Sequence, residues 1–184
     1  MTLLKKIRFI GMALLSLALV QCFGGVKNTG KVVGYRPGVV LTKKSFYNVG
    51  ILPEGWNRAN IGHYNTISFY NESYKSTIET DAYCDKSFDD ASLKVLTTHL
   101  YFAITDKKER SSKPISLDGR AALHSVADGK VDGVPIVLDT VVIKKDDCLF
   151  DFAMVSAPSL YAKAAEDFKT FFEGFKFSGD LNNE

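Results

Sequence analysis

Three cysteines and three histidines carry most of the chemistry open to this chain of 184 residues. Cys22 directly follows an apolar run, whereas Cys84 and Cys148 lie in the body of the chain. Neither of the latter has a second Cys or His at ligand spacing, so no zinc site is expected. A nucleophilic cysteine needs an electropositive neighbourhood, and Cys148 has Asp146, Asp147 and Asp151 around it instead. His63, His99 and His124 are far apart in sequence and read as separate structural residues, although they could converge in space. The chain has no Gly-x-Ser-x-Gly, Ser-x-x-Lys, His-Glu-x-x-His or Gly-x-x-x-x-Gly-Lys-Ser/Thr. No catalytic residue, cofactor or enzymatic activity is expected.

Two acidic groups are the other candidates for chemistry. Asp81, Asp85, Asp89 and Asp90 form one, and Asp146, Asp147 and Asp151 the other. A Cys84–Cys148 bridge would bring them near each other, and hard cations take oxygen ligands. Helix capping and solvated turns explain the same residues, and no complete calcium loop is present, so no metal is expected. Asp128 to Gly133 resembles the start of an EF-hand loop, but Lys130 occupies a ligand position. Trp56, Tyr64, Tyr70 and Tyr74 form a possible aromatic binding patch, the alternative being sheet-face packing.

The N-terminus reads as an export signal. Lys5, Lys6 and Arg8 precede the uncharged run Phe9–Val20, which has the layout of a secretory signal peptide. It falls short of the ~20 apolar residues that span a bilayer. Ala18-Leu19-Val20-Gln21-Cys22 resembles the lipobox of bacterial lipoproteins, with Gln21 in place of the usual small residue. The resemblance implies a lipid on Cys22, which also accounts for the odd thiol. Phe23 rather than Asp after the cysteine favours outer-membrane sorting in that family's pattern. In an oxidising envelope compartment Cys84 and Cys148 are expected to pair, the alternative being two reduced buried thiols.

The composition is that of a globular domain. At 46% hydrophobic and 12% aromatic, it excludes wholesale disorder and fibrous repeats. The 23 basic residues exceed the 21 acidic ones. Loss of the three in the signal leaves the acids one ahead, which argues against a nucleic-acid partner. The expected organisation is a signal peptide over 1–21, a lipidated cysteine and Gly-rich tether over 22–44, in which Val39, Val40 and Leu41 could already form an edge strand, a domain over 45–178 and a tail over 179–184.

Within the domain, short strands are expected near 45–51, 66–70 and 76–83. Leu93, Leu96, Leu100 and Ala103 have helical spacing, with Asp89 or Asp90 as cap. The charged stretch 106–114 reads as a solvated loop, followed by strands near 116–127, 133–143 and 148–156. Asp128-Gly129 and Asp132-Gly133 mark the first turn between them and Lys144 to Asp147 the second. Pro158 opens a closing helix with Tyr161, Ala164, Phe168, Phe171, Phe172 and Phe175 on one face. Sheet covered by helices, an α+β arrangement, is the expected class.

The run Pro53-Glu54-Gly55-Trp56, the middle helix, Leu117 to Ala122, the meander and the Phe-rich closing helix together resemble the PsbP-like fold, an α/β/α sandwich. That fold occurs in an extrinsic photosystem II subunit, a Ran-binding nuclear import factor and bacterial DcrB-type lipoproteins. The resemblance covers residues 45–177 and implies docking onto a larger assembly rather than catalysis, although fold alone does not carry function. The resulting expectation is a lipid-anchored envelope protein of a bacterium. It would face the periplasm or the exterior and act as adaptor or auxiliary subunit of a protein complex. Alternatives are a carrier of a small ligand or lipid and, below that, a hydrolase with a dispersed site.

Overall fold

Strand periodicity organises most of the molecule. A computed structural model describes residues 30–59, 66–84, 88 and 90–180. Strand β6 (Ser76–Tyr83) is half buried along its length, with Ser76, Ile78, Thr80 and Ala82 inward, as its alternation predicts. It sits in a seven-stranded antiparallel sheet with β4 (Trp56–Ala59), β5 (Thr66–Asn71), β7 (Thr105–Leu117), β8 (Arg120–Val131), β9 (Val134–Lys145) and β10 (Cys148–Ser156). The order is β4-β5-β6-β10-β9-β8-β7. A smaller antiparallel sheet has the order β1-β2-β3-β11, from β1 (Val32–Arg36), β2 (Val39–Thr42), β3 (Ser45–Asn48) and β11 (Lys176–Asp180). The fold is α+β and mostly strand.

The two faces of the large sheet are buried differently. On one, Ile67, Phe69, Ile78, Phe150, Phe152 and Met154 meet helix α2 (Tyr161–Glu173) and the small sheet. Phe168, Phe171 and Phe172 descend from α2 at helical spacing, and Val40 and Tyr47 come from the small sheet. Each buried Phe contributes about 1.5–3 kcal/mol relative to exposure. On the other face, Leu96 of helix α1 (Leu93–Leu100) covers Val142 and Leu149, and Tyr101 covers Ile136 and Leu138. Layers on both sides of the sheet make the sandwich.

Several expectations are corrected. Residues 32–42, expected within a tether, form β1 and β2, because Val32, Val40 and Thr42 have a core to enter. Residues 106–114, expected as a loop, lie in β7, an exposed edge strand whose charges face solvent. The expected strand 116–127 is instead broken by a hairpin turn at Asp118-Gly119, and Asp128-Gly129 is not a turn but part of β8. Ser92 rather than Asp90 caps α1 by accepting from the Val95 N–H at 3.3 Å, and Asp89 lies outside the described residues.

Turn chemistry explains the resulting four-strand meander. Asp118-Gly119, Asp132-Gly133 and Asp146-Asp147 each carry two positive φ values: 46° and 73°, 49° and 79°, 50° and 61°. That is the geometry of two-residue type I′ hairpins, which suit the twist of antiparallel strands. The closing helix begins at Tyr161 rather than Pro158, the intervening residues forming a turn. The last strand runs to Asp180, inside the expected tail.

Candidate functional site

The polar groups that converge on the α2 side of the sheet start from one isolated charge. Asp139 stands alone in the apolar run Ile136–Ile143 of β9 and is 3% exposed. A buried carboxylate needs partners, and it has two. Its Oδ1 lies 2.6 Å from His124 Nε2 on the neighbouring strand β8. Its Oδ2 accepts the Tyr161 hydroxyl of α2 at 2.8 Å. Burial, with the adjacent Asp139 charge, pushes the Tyr161 hydroxyl well above its ordinary value, which keeps it a donor.

The network continues at both ends. The Arg110 guanidinium lies 5.4 Å from the Tyr161 ring and donates from Nε to Asp128 at 2.8 Å. The His124 ring packs at 5.4 Å on Phe172. Next to it is a cleft of about 270 Å³ between the β7–β8 hairpin and α2, walled by Ile115, Leu117, His124, Lys169, Phe172 and Glu173. His124 lines this cleft while its Nε2 is turned to Asp139. Chemically this is a braced imidazole at the rim of a small, half-apolar cleft, and mechanically it ties β8, β9 and α2 together.

The expected aromatic patch divides between two faces. Trp56 is half buried, donates from Nε1 to Asp167 of α2 at 2.9 Å, and meets Tyr74 edge-on at 6.2 Å. Trp56 is opposite Asn71, whereas Tyr70, one residue earlier, is opposite Asn57 and Thr77. Successive strand residues point to opposite faces, so Tyr70 is turned away from the Trp56–Tyr74 pair. Tyr64, His63 and Cys22 lie outside the described residues. His99 is exposed on α1, far from the His124 network in the layering.

Cys84 and Cys148 form a disulfide that joins the end of β6 to the start of β10. Of the acids expected near it, Asp146 and Asp147 are the β9–β10 turn, and Asp151 faces Asp81 across β10 and β6. Burial, with the Asp81 charge added, pushes the Asp151 carboxyl up to about 7. Among the described residues, no group of three or more His, Cys, Asp or Glu stands together as a metal site would need.

Large apolar side chains are exposed at Val33, Ile51, Val95, Phe102 and Val134 among the described residues. Phe102, just past α1, is 97% exposed. Val95, within α1, is 49% exposed. Val134, 61% exposed, continues the sheet face of Ile136 and Leu138, against which Tyr101 packs. Sequence periodicity hid Phe102, because the apolar spacing that predicts α1 traces its buried side. Asp139 had a readable signal, a lone carboxylate inside an apolar strand.

Several solved structures share this arrangement. Cyanobacterial PsbP (CyanoP) of Synechocystis superposes with a TM-score of 0.51 at 13% identity, covering 86% of this chain and 99% of that one. The chain has a PsbP-like fold. The same PsbP-like fold is matched in LpqN, described as involved in cell envelope biogenesis of Mycobacterium tuberculosis, with a TM-score of 0.51 at 10% identity over 73% and 86% of the two chains. A Bacteroides thetaiotaomicron protein matches with a TM-score of 0.52 at 16% identity, covering 82% of this chain but only 49% of its own. No protein-family model and no curated protein matches the sequence. Among the described residues, no helix of this PsbP-like domain is long and apolar enough to cross a membrane.

Proposed function

We propose that this chain is a membrane-anchored envelope lipoprotein that acts as a non-catalytic adaptor, an auxiliary subunit of an envelope complex. The observation that carries the reading is Phe102, 97% exposed next to the Tyr101 that packs on Ile136 and Leu138, with Val134 also exposed on that sheet face. Exposed apolar side chains gathered at one place mark interaction sites on an otherwise polar surface. The anchor reading rests on Lys5 to Cys22, and the Cys84–Cys148 disulfide suits an oxidising compartment outside the cytoplasm. An envelope role also agrees with the description of LpqN, which shares the fold. Phe23 after Cys22 supports outer-membrane placement, and the domain would face the periplasm or exterior.

The test is photocrosslinking in the native membrane with a photoreactive residue at position 102, compared with one at Lys113 on the exposed edge strand. A discrete adduct from position 102 alone supports the adaptor. Equal, diffuse labelling from both positions overturns it. The intact mass of the same preparation checks the anchor, through a lipid increment on Cys22.

A ligand carrier is the second reading, favoured by the cleft beside His124. Against it, the space between sheet and α2 is filled by Phe150, Phe152, Phe168, Phe171 and Phe175, each at most 1% exposed. Mass that leaves the native protein on denaturation would promote the carrier over the adaptor.

A further inference from the structure

The cleft beside His124 has an apolar floor set by strand register. Across β7 and β8, Ile115 lies opposite Ala122 and Leu117 opposite Arg120, while Lys113 lies opposite His124. Opposed and alternate residues share a face, so Ile115, Leu117 and His124 all stand on the side turned to α2. Leu117 and Phe172 are 5% and 4% exposed and line the cleft with Ile115. One wall is held in place. Asp139 binds His124 Nε2 at 2.6 Å and the Tyr161 hydroxyl of α2 at 2.8 Å. The Phe172 ring packs on His124 at 5.4 Å and on Phe168 at 5.2 Å. A wall fixed before binding loses little entropy when a ligand arrives. The volume of about 270 Å³ lies just under the ~300–1,000 Å³ usual for small-molecule sites, which sets a small ligand.

Two opposite charges edge this floor. Lys169 and Glu173 both line the cleft and are exposed. They are four residues apart on α2, which puts their Cβ atoms about 5–6 Å apart. Neither is among the ion pairs formed by the described residues. Lys before Glu is the less favourable order for pairing along a helix. Charges of both signs stand further out. Lys113 and Arg120 are on the hairpin, and Glu166 is one turn before Lys169. Asp118, past Leu117, is held by Lys145 with Lys176 nearby. The surroundings therefore favour neither a simple anion nor a simple cation.

We propose that this cleft binds a free α-amino acid with an apolar side chain. Its carboxylate meets Lys169, its ammonium meets Glu173, and its side chain rests on Ile115, Leu117 and Phe172. The two charges of such a ligand sit on one carbon, so two long side chains based one helical turn apart can close on both. A ligand with a single charge leaves Lys169 or Glu173 unmatched. A zwitterionic phospholipid matches the charges but brings acyl chains too large for the cleft. The inference rests on the second reading above, the carrier, and names its ligand, whereas the adaptor stands or falls separately.

The test uses the full mature chain in lipid nanodiscs with L-leucine as the probe. Titration calorimetry should give a Kd below about 1 mM, within reach of so small a ligand. The methyl NMR signals of Ile115 and Leu117 should shift, and those of Val134 should not. Isocaproate, which lacks the ammonium, and isopentylamine, which lacks the carboxylate, should each bind at least about tenfold more weakly, as the loss of one charged contact implies. Lys169→Gln should weaken leucine about tenfold and leave isopentylamine unchanged. Glu173→Gln should weaken leucine as much and leave isocaproate unchanged. Lys163→Gln, elsewhere on α2, should change nothing. Equal affinity for leucine and either single-charge analogue overturns the inference, as does a variant that weakens all three ligands alike. If leucine does not bind while the native protein still loses a mass on denaturation, the inference falls and the carrier reading survives.

Discussion

Two buried aspartates behave oppositely because one has partners and the other has a neighbour of its own sign. Asp139 spends both oxygens, on His124 and Tyr161. Asp139→Ala should cost about 3 kcal/mol, since hydrogen bonds to a charged group contribute roughly 1.5–3 kcal/mol each and two buried groups lose theirs. Urea unfolding of the variant checks this, and a loss under 1 kcal/mol (about the worth of one neutral bond) would show that the network is dispensable. Asp151 has its ordinary value of 3.8 raised to about 7 by burial and by Asp81. Between those two values the folded chain holds a proton that the unfolded chain has released, so this group's contribution to stability falls as pH rises from about 4 to 7. Asp151→Asn should therefore melt higher than the natural protein at pH 8 and show a shallower decline across that range. Asp118 works in the other sense. Burial pushes its carboxyl up, but Lys145 and the Phe177 N–H outweigh this and hold it below its ordinary value, so its contribution fades only in acid.

At the scale of elements, the meander and its disulfide are the parts most directly connected to named residues. The three Asp-led turns set register for four strands, and Cys84–Cys148 closes the loop that contains α1 and β7 to β9. The chain-entropy model gives about 4 kcal/mol for closing a loop across a sequence separation of 64. Reduction should lower the melting temperature by roughly 10 °C, at 2–4 °C per kcal/mol for a domain of this size. An unchanged melting curve in dithiothreitol would show that β6–β10 pairing alone holds this end. Strand β7 was hard to read because its side chains face water on nearly every position, so neither alternation nor an apolar run survives. Its edge position, with Lys107, Lys108 and Pro114, suits a strand that discourages further pairing.

The whole molecule is asymmetric along the sheet. The chain enters beside the disulfide, and the exposed Phe102 and Val134 lie toward the other end. A single Phe102→Asp substitution should leave the melting temperature within about 1 °C, because surface changes away from buried features cost little. The same substitution should abolish the crosslinked adduct from a neighbouring photoreactive position, such as Val134. Loss of folding in Phe102→Asp would instead assign Phe102 to the packing of α1.

From sequence alone came the class of the fold, the Phe-lined face of α2 and the alternating buried side of β6. All of these are local patterns, repeated every two or every three to four residues, and burial of one face enforces them. The Asp118-Gly119 hairpin was equally local, a strong turn signal that the charge of the preceding stretch obscured. Tertiary structure alone decided the rest. It split Trp56 and Tyr74 from Tyr70, because cross-strand register determines which aromatics share a face. It joined His124 to Asp139 and Tyr161 across three elements. It also drew residues 32–42 out of the tether and into the core, since such short strands are stable only when a sheet and its helix are already there to cover them.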